Sequence, residues 1–237
     1  MGTTLSSISA AKTPIGRASK PLMPAGRFIR TKSMLNADKQ SAGAEAQIDE
    51  IFNHEFAQHK SVVDATARAV RHDFGLTLAI LEQSVRQGGK LLLFGNGGSA
   101  ADAQHIAAEL VIRYKKDRKP IAAIALTTDT SALTACGNDM GFDALFERQI
   151  EALGRPGDVA IGISTSGKSP NVLRGLRQAR NGGLKTVGLA GGTGGEMAAT
   201  CDAMIIVPSP VTARIQEMHI TIGHMLCVAL ETRLGLV

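Results

Sequence analysis

The sequence predicts an α/β fold, a single domain built on a five-stranded parallel sheet flanked by helices in a flavodoxin/Rossmann-like three-layer arrangement. Three observations carry that reading. Five short apolar runs, Lys90–Phe94, Ile121–Thr127, Asp158–Ile163, Thr186–Ala190 and Ala203–Val207, are bounded by glycine and separated by helical stretches. That is the rhythm of parallel strands buried on both faces. The chain has 237 residues, 44% of them apolar and 26 of them glycine, enough for one sizeable core and many tight strand–helix turns. Aromatics make up only 3%, so the core is aliphatic.

Residues 1–43 are rich in Ser, Pro, Gly, Lys and Arg and show no sustained periodicity. They predict a disordered basic extension, leaving residues 44–237 as the folded domain. The extension is poor in acids, as transit peptides are, and Met1–Ser6 fits a short myristoylation pattern. Neither match is specific, and the extension is read as dispensable. From Ala44 to Gln87, apolar residues recur at helical spacing, among them Ile48, Ile51, Phe52, Phe56, Val63, Leu78 and Leu81. The spacing predicts helices over 45–70 and 73–87, closed by Gly88 and Gly89. Val211–Arg233 reads as one long final helix.

The formal net charge is +5, but residues 1–40 hold seven basic residues against one acid, Asp38. The remainder is close to neutral, so the basic balance does not point to nucleic acid. Cys136, Cys201 and Cys227 are widely spaced and odd in number, which fits neither a disulfide framework nor a zinc finger. They read as reduced core thiols of a cytoplasmic protein. No apolar run reaches the ~18 residues of a membrane span.

Two loops carry chemistry. The first strand ends in Gly95-Asn96-Gly97-Gly98-Ser99 before a helix over Ala100–Arg113. Small residues let backbone N–H groups approach an anion there, and Ser99 is placed to cap the helix. The third strand ends in Ser164-Thr165-Ser166-Gly167-Lys168-Ser169 before a helix over Pro170–Arg180. Four hydroxyls at one helix start suit the oxygens of a phosphate. Gly162–Ser169 also fits the P-loop pattern of nucleotide binders, although no apolar strand ending in a suitable Asp accompanies it. His105 and Glu109 are four apart on one predicted helix face. Gln216 and His224 lie eight apart on the last helix. Together such a set suits zinc or a similar divalent ion. His54, His59, His72 and His219 fit no convergent set.

These segments resemble the phosphoheptose isomerases of the SIS-domain family. The resemblance rests on Gly95–Ala100 with Asp102, His105 and Glu109. It continues through Asn138-Asp139, Ser164–Gly167 with Ser169, and Ala213–Glu217 with His219 and His224, in order over about residues 44–235. It implies a SIS-fold homotetramer with active sites at subunit interfaces. It implies conversion of sedoheptulose 7-phosphate to glycero-manno-heptose 7-phosphate, toward the heptose of lipopolysaccharide or related glycans. By the same resemblance, His105, Glu109, Gln216 and His224 coordinate zinc, and Ser164, Thr165, Ser166 and Ser169 hold the phosphate. Asn96, Gly97, Gly98, Asn138 and Asp139 line the sugar site. Isomerisation through an enediol needs a base and an acid, for which Glu109 and His224 are the candidates. Lys168 stands where many members have Asn, and Ala213 where some have Asp. Some SIS relatives are instead non-enzymatic tetramers that bind the replication initiator; they typically lack the acid–base pair that Glu109 and His224 supply here.

Deleting residues 1–43 is expected to leave isomerase activity and assembly state intact, as measured by turnover and sedimentation of the truncated chain. A monomeric or inactive product would make the extension structural.

Overall fold

The computed structural model describes residues 32–237. The expected disorder of the extension therefore lies, for residues 1–31, outside the described residues. Residues 51–237 form one compact unit, which holds the sheet. The helices are α1 (Lys32–Ala69), α2 (Arg71–Arg86), α3 (Gly98–Val111), α4 (Thr130–Asp139), α5 (Leu145–Leu153), α6 (Pro170–Asn181) and α7 (Thr212–Arg233). The strands are β1 (Leu91–Gly95), β2 (Ala123–Ala125), β3 (Val159–Ser164), β4 (Lys185–Gly191) and β5 (Ala203–Val207). α1 starts ahead of Ala44, where the apolar periodicity begins. Lys, Met, Leu, Ala and Gln in residues 32–42 are strong helix formers and need no apolar stripe to extend a helix.

All pairings are parallel, in the order β2-β1-β3-β4-β5. β2 is shorter than its apolar run because it pairs only at an edge, over Leu91–Leu93 of β1. Alternate strand residues face opposite layers. Leu91, Leu93, Ile161, Ile163 and Leu189 pack with α3 and α7 through Ile106, Leu110, Ile222 and Leu226. Leu92, Phe94 and Ala160 pack with α5 and α6 through Phe146, Ile150, Val172 and Leu176. The result is the three-layer sandwich expected, with the first and third strands adjacent at its centre.

That adjacency positions the site. Strand order reverses between β1 and β3, and in such sheets ligands bind beyond the carboxyl ends of the strands at that point. Gly95 pairs with Ile163 at this edge, so the glycine loop after β1 and the hydroxyl loop after β3 emerge side by side.

Candidate active site

The glycine loop starts α3 without a side-chain cap. Gly97 is the cap residue, with φ +56, a backbone conformation that side chains rarely tolerate. This corrects the capping role expected of Ser99, which lies inside the first turn and is buried. Its N–H donates back to the Asn96 carbonyl at 3.0 Å. Asn96 is held by Asn171 of α6 in a reciprocal pair: Asn96 Nδ2 donates to Asn171 Oδ1 at 2.9 Å, and Asn171 Nδ2 donates to Asn96 Oδ1 at 2.8 Å. Asn171, 1% exposed, ties the two loops together. Sequence reasoning missed it; its one signal is a polar residue in the first turn of a helix whose opening is already rich in hydroxyls.

The hydroxyl loop is short. Gly162 lies inside β3 and Pro170 opens α6, which leaves only residues 165–169 as loop. Residues 162–164, the first three of the P-loop pattern, are therefore strand rather than loop. Asp129, which follows the β2 run, caps α4 by accepting from Ala132 N–H at 3.0 Å. Ser164 and Ser169 share a hydrogen bond at 2.9 Å. Ser166 and Lys168 are exposed, and Thr165 is half-buried. The turn is fixed by backbone contact with a second glycine loop. Gly167 has φ +63, and a Cβ there would lie 2.0 Å from the Gly194 carbonyl oxygen; one on Gly195 would lie 2.6 Å from the Ser166 and Gly167 carbonyls.

Beside these loops, α3 and α7 bring together three donors from distant parts of the chain. His105 Nε2 lies 2.8 Å from His224 Nε2 and 3.3 Å from Glu109 Oε1. One ligand atom from each of His105, Glu109 and His224 lies within 4.8 Å of the others. Two nitrogens on one tetrahedral ion, at zinc distances, stand about 3.3 Å apart, so a small separation of the rings admits an ion. Three protein donors with an open position are the pattern of a catalytic zinc site. Tyr114, the only tyrosine, stacks on the His224 ring, centroids 5.1 Å apart and planes at 21°. It was missed because it lies in an irregular connection with no periodicity. Gln216 sits two turns before His224 on α7, with its amide against Gly98 at the start of α3. It therefore faces the glycine loop, while His224 faces His105. Asn138 and Asp139 end α4, exposed, with Asn138 Nδ2 donating to Asp139 Oδ1 at 2.7 Å. Among the described residues no hydrogen bond joins them to either loop.

Under the triad, Asp102 of α3 and His219 of α7 both line a cavity of about 30 Å³ against the sheet. Asp102 Oδ2 and His219 Nδ1 are buried without a hydrogen-bond partner among the described residues. His219 uses its other nitrogen, Nε2, on the Ala190 carbonyl at 3.1 Å. Burial pushes the Asp102 carboxyl up to about 6, against a smaller opposing pull from His105. Burial pushes the His219 imidazole down to about 4, partly offset by its bond to Ala190.

Residues 56–191 match the SIS domain. The phosphoheptose isomerase of Paramagnetospirillum magneticum is 59% identical over 179 residues, covering 76% of this chain and 93% of that protein. That of Aquifex aeolicus is 61% identical over 152 residues, 64% of this chain and 80% of the relative. The solved phosphoheptose isomerase from Neisseria gonorrhoeae superposes with a TM-score of 0.74 at 42% identity, covering 78% of this chain and 99% of that one. The structure from Francisella tularensis gives 0.76 at 35% identity, covering 78% and 98%.

The two buried groups push pH stability in opposite directions. Between pH 3.8 and about 6 the unfolded chain has lost the Asp102 proton while the folded chain keeps it, so this group makes stability fall as pH rises. Between about 4 and 6.5 the unfolded chain holds a proton on His219 that the folded chain lacks, so that group makes stability rise. In denaturant titrations across this window, Asp102→Asn is expected to show a more positive slope of stability against pH than the parent, and His219→Gln a more negative one. Unchanged slopes in both variants would mean the groups titrate normally.

Proposed function

The chain belongs to the phosphoheptose isomerases of the SIS-domain family, and we propose that its site converts sedoheptulose 7-phosphate to D-glycero-D-manno-heptose 7-phosphate through an enediol. It is an enzyme, a sugar-phosphate isomerase. The observation that carries the mechanism is the meeting of Glu109 and His105 with His224, a residue 119 positions from His105. A purely structural role would not call for an exposed His105 set against a half-buried His224 with a carboxylate beside them.

The phosphate sits at the switch point, held by the hydroxyls of Ser164, Thr165, Ser166 and Ser169 and by backbone N–H groups at the start of α6, with Lys168 supplying charge. Asn96, held by Asn171, and Gly97, Gly98 and Ser99 at the start of α3 face the sugar, with Gln216 closing over Gly98. The reactive carbons then extend toward α3 and α7. Glu109 removes the proton from C1 while His224 donates one to the C2 carbonyl oxygen, which yields the enediol. Glu109 returns the proton to C2, and His224 takes up the O1 proton, which completes the aldehyde and restores both groups. His105, Glu109 and His224 would hold zinc, which would polarise the carbonyl when bound; Gln216, the fourth donor that the resemblance implies, lies against Gly98. Glu109 and His224 each carry two donor atoms, one for an ion and one for the travelling proton.

In this reading the enzyme is a cytoplasmic homotetramer with residues 44–237 as the catalytic domain. Two observations support assembly. An apolar groove of about 590 Å³ between α1, α2 and α7 and the exposed Ile51, Phe52 and Phe56 offer surface for a second copy to cover. Asn138 and Asp139, apart from the loops within one chain, would reach a site from a neighbouring subunit. The reaction would be the first step toward a heptose-containing glycan.

Glu109→Gln keeps the shape but removes the base, and His224→Gln removes the acid. Each is expected to lower turnover of sedoheptulose 7-phosphate by about 10²–10⁴-fold. Solvent proton exchange at C1 and C2 should fall in parallel, because both processes pass through the enediol. A chelator should inhibit the parent reversibly. Parental turnover in either variant would remove that residue from the mechanism.

Replacing Ser164 and Ser166 with Ala is expected to raise KM, each lost hydrogen bond to the charged phosphate costing about 1.5–3 kcal/mol. An unchanged KM would place the phosphate elsewhere.

A further inference from the structure

Arg118 lies in the connection between α3 and β2, and its side chain is 1% exposed. Its donors are spent on four acceptors. Nη2 donates to the Glu109 carbonyl at 2.8 Å. Nη1 donates to the carbonyls of Leu110 at 2.8 Å and Lys119 at 3.1 Å. Nε donates to Glu231 Oε1 at 2.8 Å, and the Glu231 side chain is 3% exposed. The last carbonyls of a helix have no partner within it. α3 ends at Ile112 in a right-handed conformation, without the left-handed glycine that often closes a helix. The guanidinium takes that role, on the carbonyl of the residue read above as the base. Glu231 lies seven residues after His224, two turns along α7 and on nearly the same face. One buried side chain thus bridges the end of α3 that carries Glu109 and the face of α7 that carries His224.

We propose that Arg118 is a positioning residue for the isomerase: anchored by Glu231, it holds the last turn of α3 so that Glu109 meets the substrate and His224 at a fixed spacing. The proposal rests on Glu109 acting as the base. A buried ion pair alone is weak evidence of a stability role, since apolar replacements of both partners are often neutral or stabilising. That property supplies the test.

The full-length parent, R118K, R118M/E231M and E109Q are compared with sedoheptulose 7-phosphate, alongside thermal melting. R118M/E231M removes both buried charges together and is expected to melt near the parent temperature. R118K keeps a charge for Glu231 but loses the fork that reaches two α3 carbonyls. Both variants are expected to lower kcat about 10- to 100-fold, the scale of a misplaced catalytic group, with KM within about threefold of the parent. Should the double variant lose its melting transition, R118K decides alone on the same kcat criterion. Parental kcat in a folded R118M/E231M or in R118K, with E109Q inactive, overturns the positioning role and leaves the base intact. Parental turnover in E109Q overturns the reading of Glu109 and the positioning role with it.

Discussion

The site depends on how closely α3 and α7 cross. Gly223 is the contact: a Cβ there would lie 2.5 Å from Cδ1 of Ile106. The residues next to this pair are His224 and His105, whose Nε2 atoms stand 2.8 Å apart. A larger side chain at 223 has to displace the Ile106 side chain, which packs beside His105. At the other end of the crossing Gly98 leaves room for the Gln216 amide. Two glycines thus leave room for facing side chains at both ends of the site.

The sheet contributes a different constraint. Its strand order makes one crevice at the carboxyl edge, and the loops after β1 and β3 fill it with neutral donors. Ser164 and Ser169 pair with each other, and Asn96 pairs with Asn171, so these polar groups are oriented before a ligand arrives. Preorganised neutral donors can receive a dianion without the cost of burying a full counter-charge. Apart from Lys168, the ionisable groups of the site stand on helices α3 and α7. The proposed binding groups and the proposed proton carriers therefore lie on different elements.

The strands were legible because a parallel strand buried on both faces is a continuous apolar run, as Leu91–Phe94 and Val159–Ile163 are. The helices α2 and α7 were legible from periodicity and glycine stops. His105 and Glu109 were readable as a pair because four residues is one helical turn. The link from His105 to His224 came only through family resemblance, since periodicity says nothing about which helices cross. Asn171, Tyr114 and Arg118 escaped notice for the same reason: their partners lie 75, 110 and 113 residues away. Ser99 was misread for a local reason. A capping serine and a serine one residue inside the helix look alike in sequence, and only the positive φ of Gly97 tells them apart.

The interlocked glycines 167, 194 and 195 divide this pocket into fixed and variable positions. Their backbones touch so closely that none can change alone, and a swap of one loop from a relative would have to carry the other with it. Ser166 and Lys168 point outward from the same turn and bear no such coupling. Evolution can therefore vary those two side chains while the loop's path stays undisturbed.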